Sequence, residues 1–246
     1  MKVTVLGYQS PFPGANSCGP GYLLEHNHRY YLIDAGSGVL SKLQQYIKFD
    51  QLEAVFLSHL HHDHMSDFLV LQYAIQMEFV MKGRTKPLPV YFPQEPKPEA
   101  SIIPFQHFIQ PHHINESTML QLDDLQISFL QTDHVVPTYA MKFQSGEKTF
   151  VYGADSGIYT SFSPFAKQAD LLILECTYLE KDRPLTPMGH LSTSDVAKLS
   201  RDLQPKKLMV THFYPEYDPK KIEEELIHAG IHGTLLMPMV GQVIEV

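Results

Sequence analysis

EAVFLSHLHHDHMSD, residues 53–67, packs four histidines and an aspartate into six positions directly behind an apolar run. The run is Ala54, Val55, Phe56 and Leu57; the cluster is His59, His61, His62, Asp63 and His64. Imidazole nitrogens and carboxylate oxygens suit zinc and related transition metals, and an apolar strand beneath them supplies a rigid, low-dielectric floor. While the chain stays extended, residues two apart point to the same side, so His59 and His61 converge on one ion and Leu60 points away. From Met65 onward, Phe68, Leu69, Leu71, Gln72, Ile75, Met77 and Phe79 predict a helix. Asp63 and His64 then fall at the turn near its N-terminus, aimed at a second ion. An exposed histidine-rich loop would give no reason for strand, ligand spacing and helix start to coincide.

Further ligands must come from distant sequence, and three strand ends offer them. Thr132-Asp133-His134, Tyr152-Gly153-Ala154-Asp155-Ser156 and Val210-Thr211-His212-Phe213 each set a polar residue behind an apolar run. Singly, His134 reads as a loop residue, Asp155 as a turn or cap and His212 as a core histidine. Their joint occurrence makes His134, Asp155 and His212 metal-ligand candidates.

The rest of the chain supplies a scaffold. With 246 residues and 43% hydrophobic content, it suits a single domain over 1–246, built as two half-domains of roughly 1–115 and 116–246. Strands are predicted over 2–7, 22–25, 29–34, 89–92, 119–122, 125–132, 139–143, 148–152, 171–174 and 208–210. Helices are predicted from Val39 to Ile47, around 164–168, over 193–203 and over 219–229. Ser192 with Asp195 forms a capping box; Asp218-Pro219 and Gly230 start and stop the last helix. Strands alternating with helices in the second half argue an α/β class. Asp34-Ala35-Gly36-Ser37-Gly38 lacks a phosphate-cradle spacing and reads as structural, its glycines permitting close backbone passage near the site. His26, His28, His107, His112 and His113 read as surface residues.

Composition narrows the function. Cys18 and Cys176 are far apart and form neither a disulfide framework nor a Cys-type zinc site. The net charge is −8 and the 19 Lys and Arg are scattered, a poor footprint for nucleic acid. No run approaches transmembrane length and the N-terminus is too short for a signal core, so a soluble cytoplasmic protein without a membrane partner is expected.

HLHHDH resembles the H-x-H-x-D-H signature of the metallo-β-lactamase superfamily of binuclear metal hydrolases. The resemblance implies an αββα sandwich, two mixed sheets flanked by helices, with the metals on loops at one edge. It implies that His59, His61 and His134 hold one ion, that Asp63, His64 and His212 hold the other, and that Asp155 bridges. Asp133 has no counterpart in the pattern. Two divalent ions are implied, zinc first, with manganese or iron as alternatives; such ions lower the pKa of bound water to roughly 7 and attract a small anionic substrate. Asp63 would also orient the attacking water.

LLILECTYLEKDRP…GHLSTSDVAKL…KKLMVTHF, residues 171–213, is similar to the ribonuclease Z branch, with Glu175, Thr177, Gly189 and His190 at matching positions. In that branch the histidine gives a proton to the leaving oxygen of a phosphodiester, and the glutamate holds its other nitrogen. The match also departs. The branch's basic tRNA-gripping arm is absent, since only 20 residues separate His134 from Asp155, and the loop PFPGANSCGPG lacks the branch's arginine-bearing pattern. The expectation is a phosphodiesterase for small or cyclic phosphodiesters using metal-activated water, with Asp63, Glu175 and His190 catalytic. The alternatives are a tRNA 3′-processing endonuclease, a lactonase or thioesterase, and a non-catalytic metal-binding module. A homodimer is implied by the habit of the branch.

Overall fold

The computed structural model describes all 246 residues, which divide into two compact units. The first comprises Met1–Ile114 and Met239–Glu245. Its seven-stranded sheet begins with β1 (Lys2–Gly7), β2 (Gly21–His26) and β3 (Arg29–Ile33), which are antiparallel. Asn27 and His28 both take positive φ, 49° and 60°, as a two-residue hairpin turn between twisted strands requires. β4 (Leu52–Phe56), β5 (Leu88–Pro93) and β6 (Ile109–Ile114) then run parallel to β3. Parallel neighbours need crossovers, which α1 (Val39–Leu43), α2 (His62–Met65), α3 (Phe68–Lys82) and α4 (Lys97–Ala100) occupy. Leu32, Val55 and Val90 of the strands share a core with Leu43, Phe68, Leu71 and Ile75 of α1 and α3.

The second unit is Asn115–Pro238 with Val246. β7 (Met119–Leu122), β8 (Leu125–Gln131), β9 (Tyr139–Ser145) and β10 (Lys148–Tyr152) form an antiparallel meander. β11 (Leu171–Glu175), β12 (Lys207–Thr211) and β13 (Thr234–Leu236) extend it in parallel, with α5 (Thr193–Leu203) and α6 (Pro219–Ala229) in the crossovers. All five residues of β11 are buried, as befits an interior parallel strand. The caps form as expected: Ser192 and Asp195 make a capping box, Asp218 caps α6, and Gly230 ends it in the left-handed region.

Both sheets are thus mixed and flanked by helices, the α/β class expected. Several boundaries differ. The helix expected from Met65 is two helices, because Asp67 bonds through its backbone N–H to Ala35 O and through its carboxylate to Leu40 N. α1 is shorter than the expected span, and residues 164–168 form turns that end at Gln168 with φ 56°. His112 and His113 belong to β6, where His112 stacks on Tyr91 with centroids 4.9 Å apart; His107 and His113 are exposed. β13 and β14 (Val243–Glu245), which pairs with β1, have only three residues each, too few to show a period.

Candidate metal centre

In the first unit the site grows from the ends of β3 and β4. Asp34 follows β3 with φ 54° and is fully buried. Its carboxylate accepts the Ser58 N–H at 2.7 Å and the Ser58 hydroxyl at 2.8 Å, and lies 2.8 Å from His64 Nδ1. His59 Nδ1 lies 3.0 Å from Ser58 Oγ. With Nδ1 of both rings engaged, each presents Nε2 as its ligand atom, the arrangement in which partners behind a histidine orient it toward a metal. His59 Nε2 is 3.1 Å from His61 Nδ1, and His64 Nε2 is 3.7 Å from Asp63 Oδ2. Donors about 2.1 Å from one zinc ion stand roughly 3.4 Å apart in a tetrahedron, so these separations are those of ligand pairs.

The backbone around the motif is equally constrained. Ser10 donates to Asp63 Oδ2 at 2.7 Å. A Cβ on Gly36 would sit 2.2 Å from Asp63 O, so the glycine of the Asp34–Gly38 turn is where that turn lies directly against the motif. Ala35 N–H donates to His64 O at 2.7 Å. His62 is exposed and takes no part.

In the second unit the site residues again follow strand ends. Ala154, beside Asp155, and His212 take φ of 53° and 65°, turning the chain sharply where β10 and β12 stop. Such left-handed residues concentrate at functional sites. His212 Nε2 lies 3.2 Å and His134 Nε2 3.7 Å from Asp155 Oδ2. His212 Nδ1 is 2.8 Å from Thr177 Oγ1, which donates to Glu175 at 2.5 Å; the threonine therefore accepts from His212, fixing a tautomer with Nε2 free of its proton. His134 Nδ1 donates to Gly189 O at 3.0 Å. Burial pulls the His134 pKa down despite Asp155, which disfavours the charged form that could not act as a ligand. Asp133 instead braces the neighbouring loop, accepting the Tyr159 N–H at 3.3 Å.

Glu175, wholly buried at the end of β11, also accepts the Ser156 N–H at 2.8 Å and lies 2.7 Å from His190 Nδ1. The His190 side chain is 19% exposed, and its ring stacks on His212 with centroids 5.2 Å apart. Burial opposes its charged form, yet Glu175's charge and hydrogen bond outweigh burial and raise its pKa. Asp155, His190 and His212 each bring one ligand atom within 4.8 Å of the others, so the second unit by itself carries a group able to hold a metal.

Each expected site residue is therefore placed. His59, His61, Asp63 and His64 lie together in the first unit, and His134, Asp155 and His212 lie with Glu175 and His190 in the second. Asp34, Ser58 and Ser10 were missed. Asp34 carries the same signal as the expected ligands, a polar residue at an apolar strand's end, but stands behind them. The imidazole and carboxylate donors, backed by Asp34, Ser58, Thr177 and Gly189, fit divalent transition metals.

The family described as Beta-lactamase superfamily domain matches residues 29–213, so the chain belongs to the β-lactamase superfamily, with its metallo-β-lactamase fold, and is a metallo-hydrolase. Among similar proteins is the probable metallo-hydrolase YhfI of Bacillus subtilis, 37% identical over 241 residues, covering 96% of this chain and 91% of the relative. The crystal structure of YhfI superposes with a TM-score of 0.93 at 32% identity, covering 99% of this chain and 98% of that one. A ribonuclease Z from Brevibacillus brevis is 24% identical over 278 residues, covering 89% of this chain and 86% of the relative. A diphosphatase of the PhnP family shares the fold at a TM-score of 0.73 and 16% identity, covering 100% of this chain and 97% of that one. No helix is long and apolar enough to cross a membrane.

Proposed function

We propose that this metallo-hydrolase cleaves small or cyclic phosphodiesters. The observation that carries the reading is the Glu175–His190 pair at 2.7 Å, with the His190 ring stacked on His212 at 5.2 Å between centroids. Expulsion of an alkoxide from phosphorus gains from a positioned proton donor, the role that a histidine held by a carboxylate suits. As the resemblance implies, His59, His61 and His134 would hold one ion and Asp63, His64 and His212 the other, with Asp155 as the bridging carboxylate. Two divalent ions, zinc foremost, would supply Lewis acidity and an activated water. The chain's own residues do the rest. Asp63, steadied by Ser10, orients the water; His190, its Nδ1 proton held by Glu175, gives the Nε2 proton to the leaving oxygen.

A net charge of −8 and the missing basic arm argue against tRNA, whose grip depends on many neutralised phosphates. The test is a panel of bis-aryl phosphates, cyclic nucleotides, lactones and precursor tRNA with metal-loaded protein at about 0.1 M salt, where the Debye length is roughly 10 Å. The phosphodiesters should be preferred. Site-specific tRNA trimming without small-substrate turnover would restore the ribonuclease Z reading suggested by the Brevibacillus relative.

For the proposed homodimer the chain offers α3. Val70, Tyr73, Met77, Val80 and Met81 recur at helical spacing, each at least half exposed, and no charged side chain interrupts their face. Surface on the order of 500 Å² per copy would be covered by antiparallel pairing, about the 1,000 Å² total that a specific interface must clear and below the roughly 1,200–2,000 Å² of a standard one. Val80→Glu should convert the dimer to a folded monomer in sedimentation velocity; an unchanged dimer, or a monomeric wild type, would refute pairing through α3.

A further inference from the structure

The second unit's surface around His190 is apolar and aromatic. Val135, directly after His134, is 70% exposed; Tyr159 is 72% exposed, with its N–H on Asp133. Met188, 57% exposed, precedes the glycine whose carbonyl receives His134, and Leu185, three residues earlier, stands fully in solvent. The Tyr178 ring lies 6.1 Å from that of His190, edge-on at 83°. The cations of these turns are engaged elsewhere: Lys181 lies 3.9 Å from Asp182, and Arg183 donates to Asp195 at 2.9 Å. The turns that carry these side chains adjoin, since Gly157 N–H donates to Asp133 O at 2.7 Å and a Cβ on Gly157 would lie 2.9 Å from Gly189 Cα. Large apolar side chains exposed on adjoining turns mark a binding surface, and this one offers contact area and ring faces but no further positive charge.

We infer that the leaving group of the substrate is apolar or aromatic, seated against Val135, Tyr159 and Met188. The inference rests on the phosphodiesterase reading, because His190 as proton donor identifies this side of the site as the side of the departing oxygen. In the reaction, water adds its oxygen to phosphorus and the bond from phosphorus to the departing oxygen breaks. His190 gives that oxygen its proton and is reprotonated by the one released from water, so the products are a phosphomonoester and a free alcohol. The departing group meets side chains that gain by shedding water. A second phosphate, or the ribose-phosphate chain of a polynucleotide, would meet the same side chains and gain nothing.

The test compares two phosphodiesters with the same retained group and either a benzyl or a methyl leaving group, alcohols of similar acidity, on metal-loaded protein. The wild type should favour the benzyl ester by about 10-fold or more in kcat/KM, expressed mainly in KM, the range that apolar pockets deliver. Tyr159→Ala and Met188→Ser should each bring the benzyl-to-methyl ratio toward one, while Met188→Leu retains it. Thermal melts confirm that these exposed substitutions fold. Equal turnover of both esters by the wild type, or a preference unchanged in both variants, overturns the leaving-group inference alone. Turnover of neither ester, with hydrolysis of a lactone, overturns the phosphodiesterase reading and this inference together.

Discussion

Asp34 holds two of the candidate ligand histidines in place, His64 directly and His59 through Ser58, each by its Nδ1 side. Removing a partner of this kind lowers metal affinity by roughly 10–100-fold. Asp34→Ala should lose affinity on that scale in a chelator competition, and unchanged affinity would show that the histidines are oriented otherwise. Gly189 occupies a similar position in the second unit. Its φ is 75°, and a Cβ there would lie 2.9 Å from His134 Cα and 3.0 Å from His134 Nδ1. Gly189→Ala should therefore reduce bound metal while leaving most of the fold intact, as read by metal analysis and circular dichroism. His190→Ala should separate the proton donor from the ligands: metal content retained, turnover lowered by roughly 10²–10⁴-fold, and the loss smaller for nitrophenolate than for alkoxide leaving groups. Equal losses on both would remove the proton-donor role, and a loss of metal would make His190 a ligand of the group it shares with Asp155 and His212.

At the scale of elements, Asp170 clamps the start of β11. Its carboxylate accepts the Thr149 N–H at 2.9 Å and the Lys206 ammonium at 2.8 Å, with Lys148 at 3.6 Å, so it ties β10 to the residue that precedes β12. Burial alone would raise its pKa; the Lys206 hydrogen bond, the Thr149 amide and the two lysine charges outweigh burial and lower it. A lowered folded pKa makes the contribution complete above the unfolded value, near 3.8, and lost as pH falls through the folded one. Asp170→Asn should cost about 1–3 kcal/mol at neutral pH, with the difference from wild type in urea midpoint shrinking below pH 4. A constant difference would assign the effect to packing. Elements closed by local chemistry were legible in the sequence: α5 and α6 match their expected spans because Ser192, Asp195, Asp218 and Gly230 act within a few residues of where they stand. The break between α2 and α3 was not, because it depends on Asp67 reaching Ala35 and Leu40, about thirty residues away.

For the whole molecule, the ligand set leads to an expected two ions per chain. Elemental analysis should approach two equivalents, and Asp155→Ala should lower that value; one equivalent, indifferent to the substitution, would contradict bridging. Because ions held by the folded chain alone stabilise it by mass action, exhaustive chelation should lower Tm, and restoring zinc should recover it. The sequence by itself determined the histidine motif, the distant candidates at strand ends and the capped helices, since each is written in spacings of a few residues against an apolar run, and the resemblance of HLHHDH to a known signature pointed to the superfamily. Only the tertiary structure decided what stands behind the ligands. Asp34 reaches His64 across 30 positions, Ser10 reaches Asp63 across 53, and His134 reaches Gly189 across 55. No local period records such pairings, because they exist only once the sheet has brought the ends of separate strands side by side.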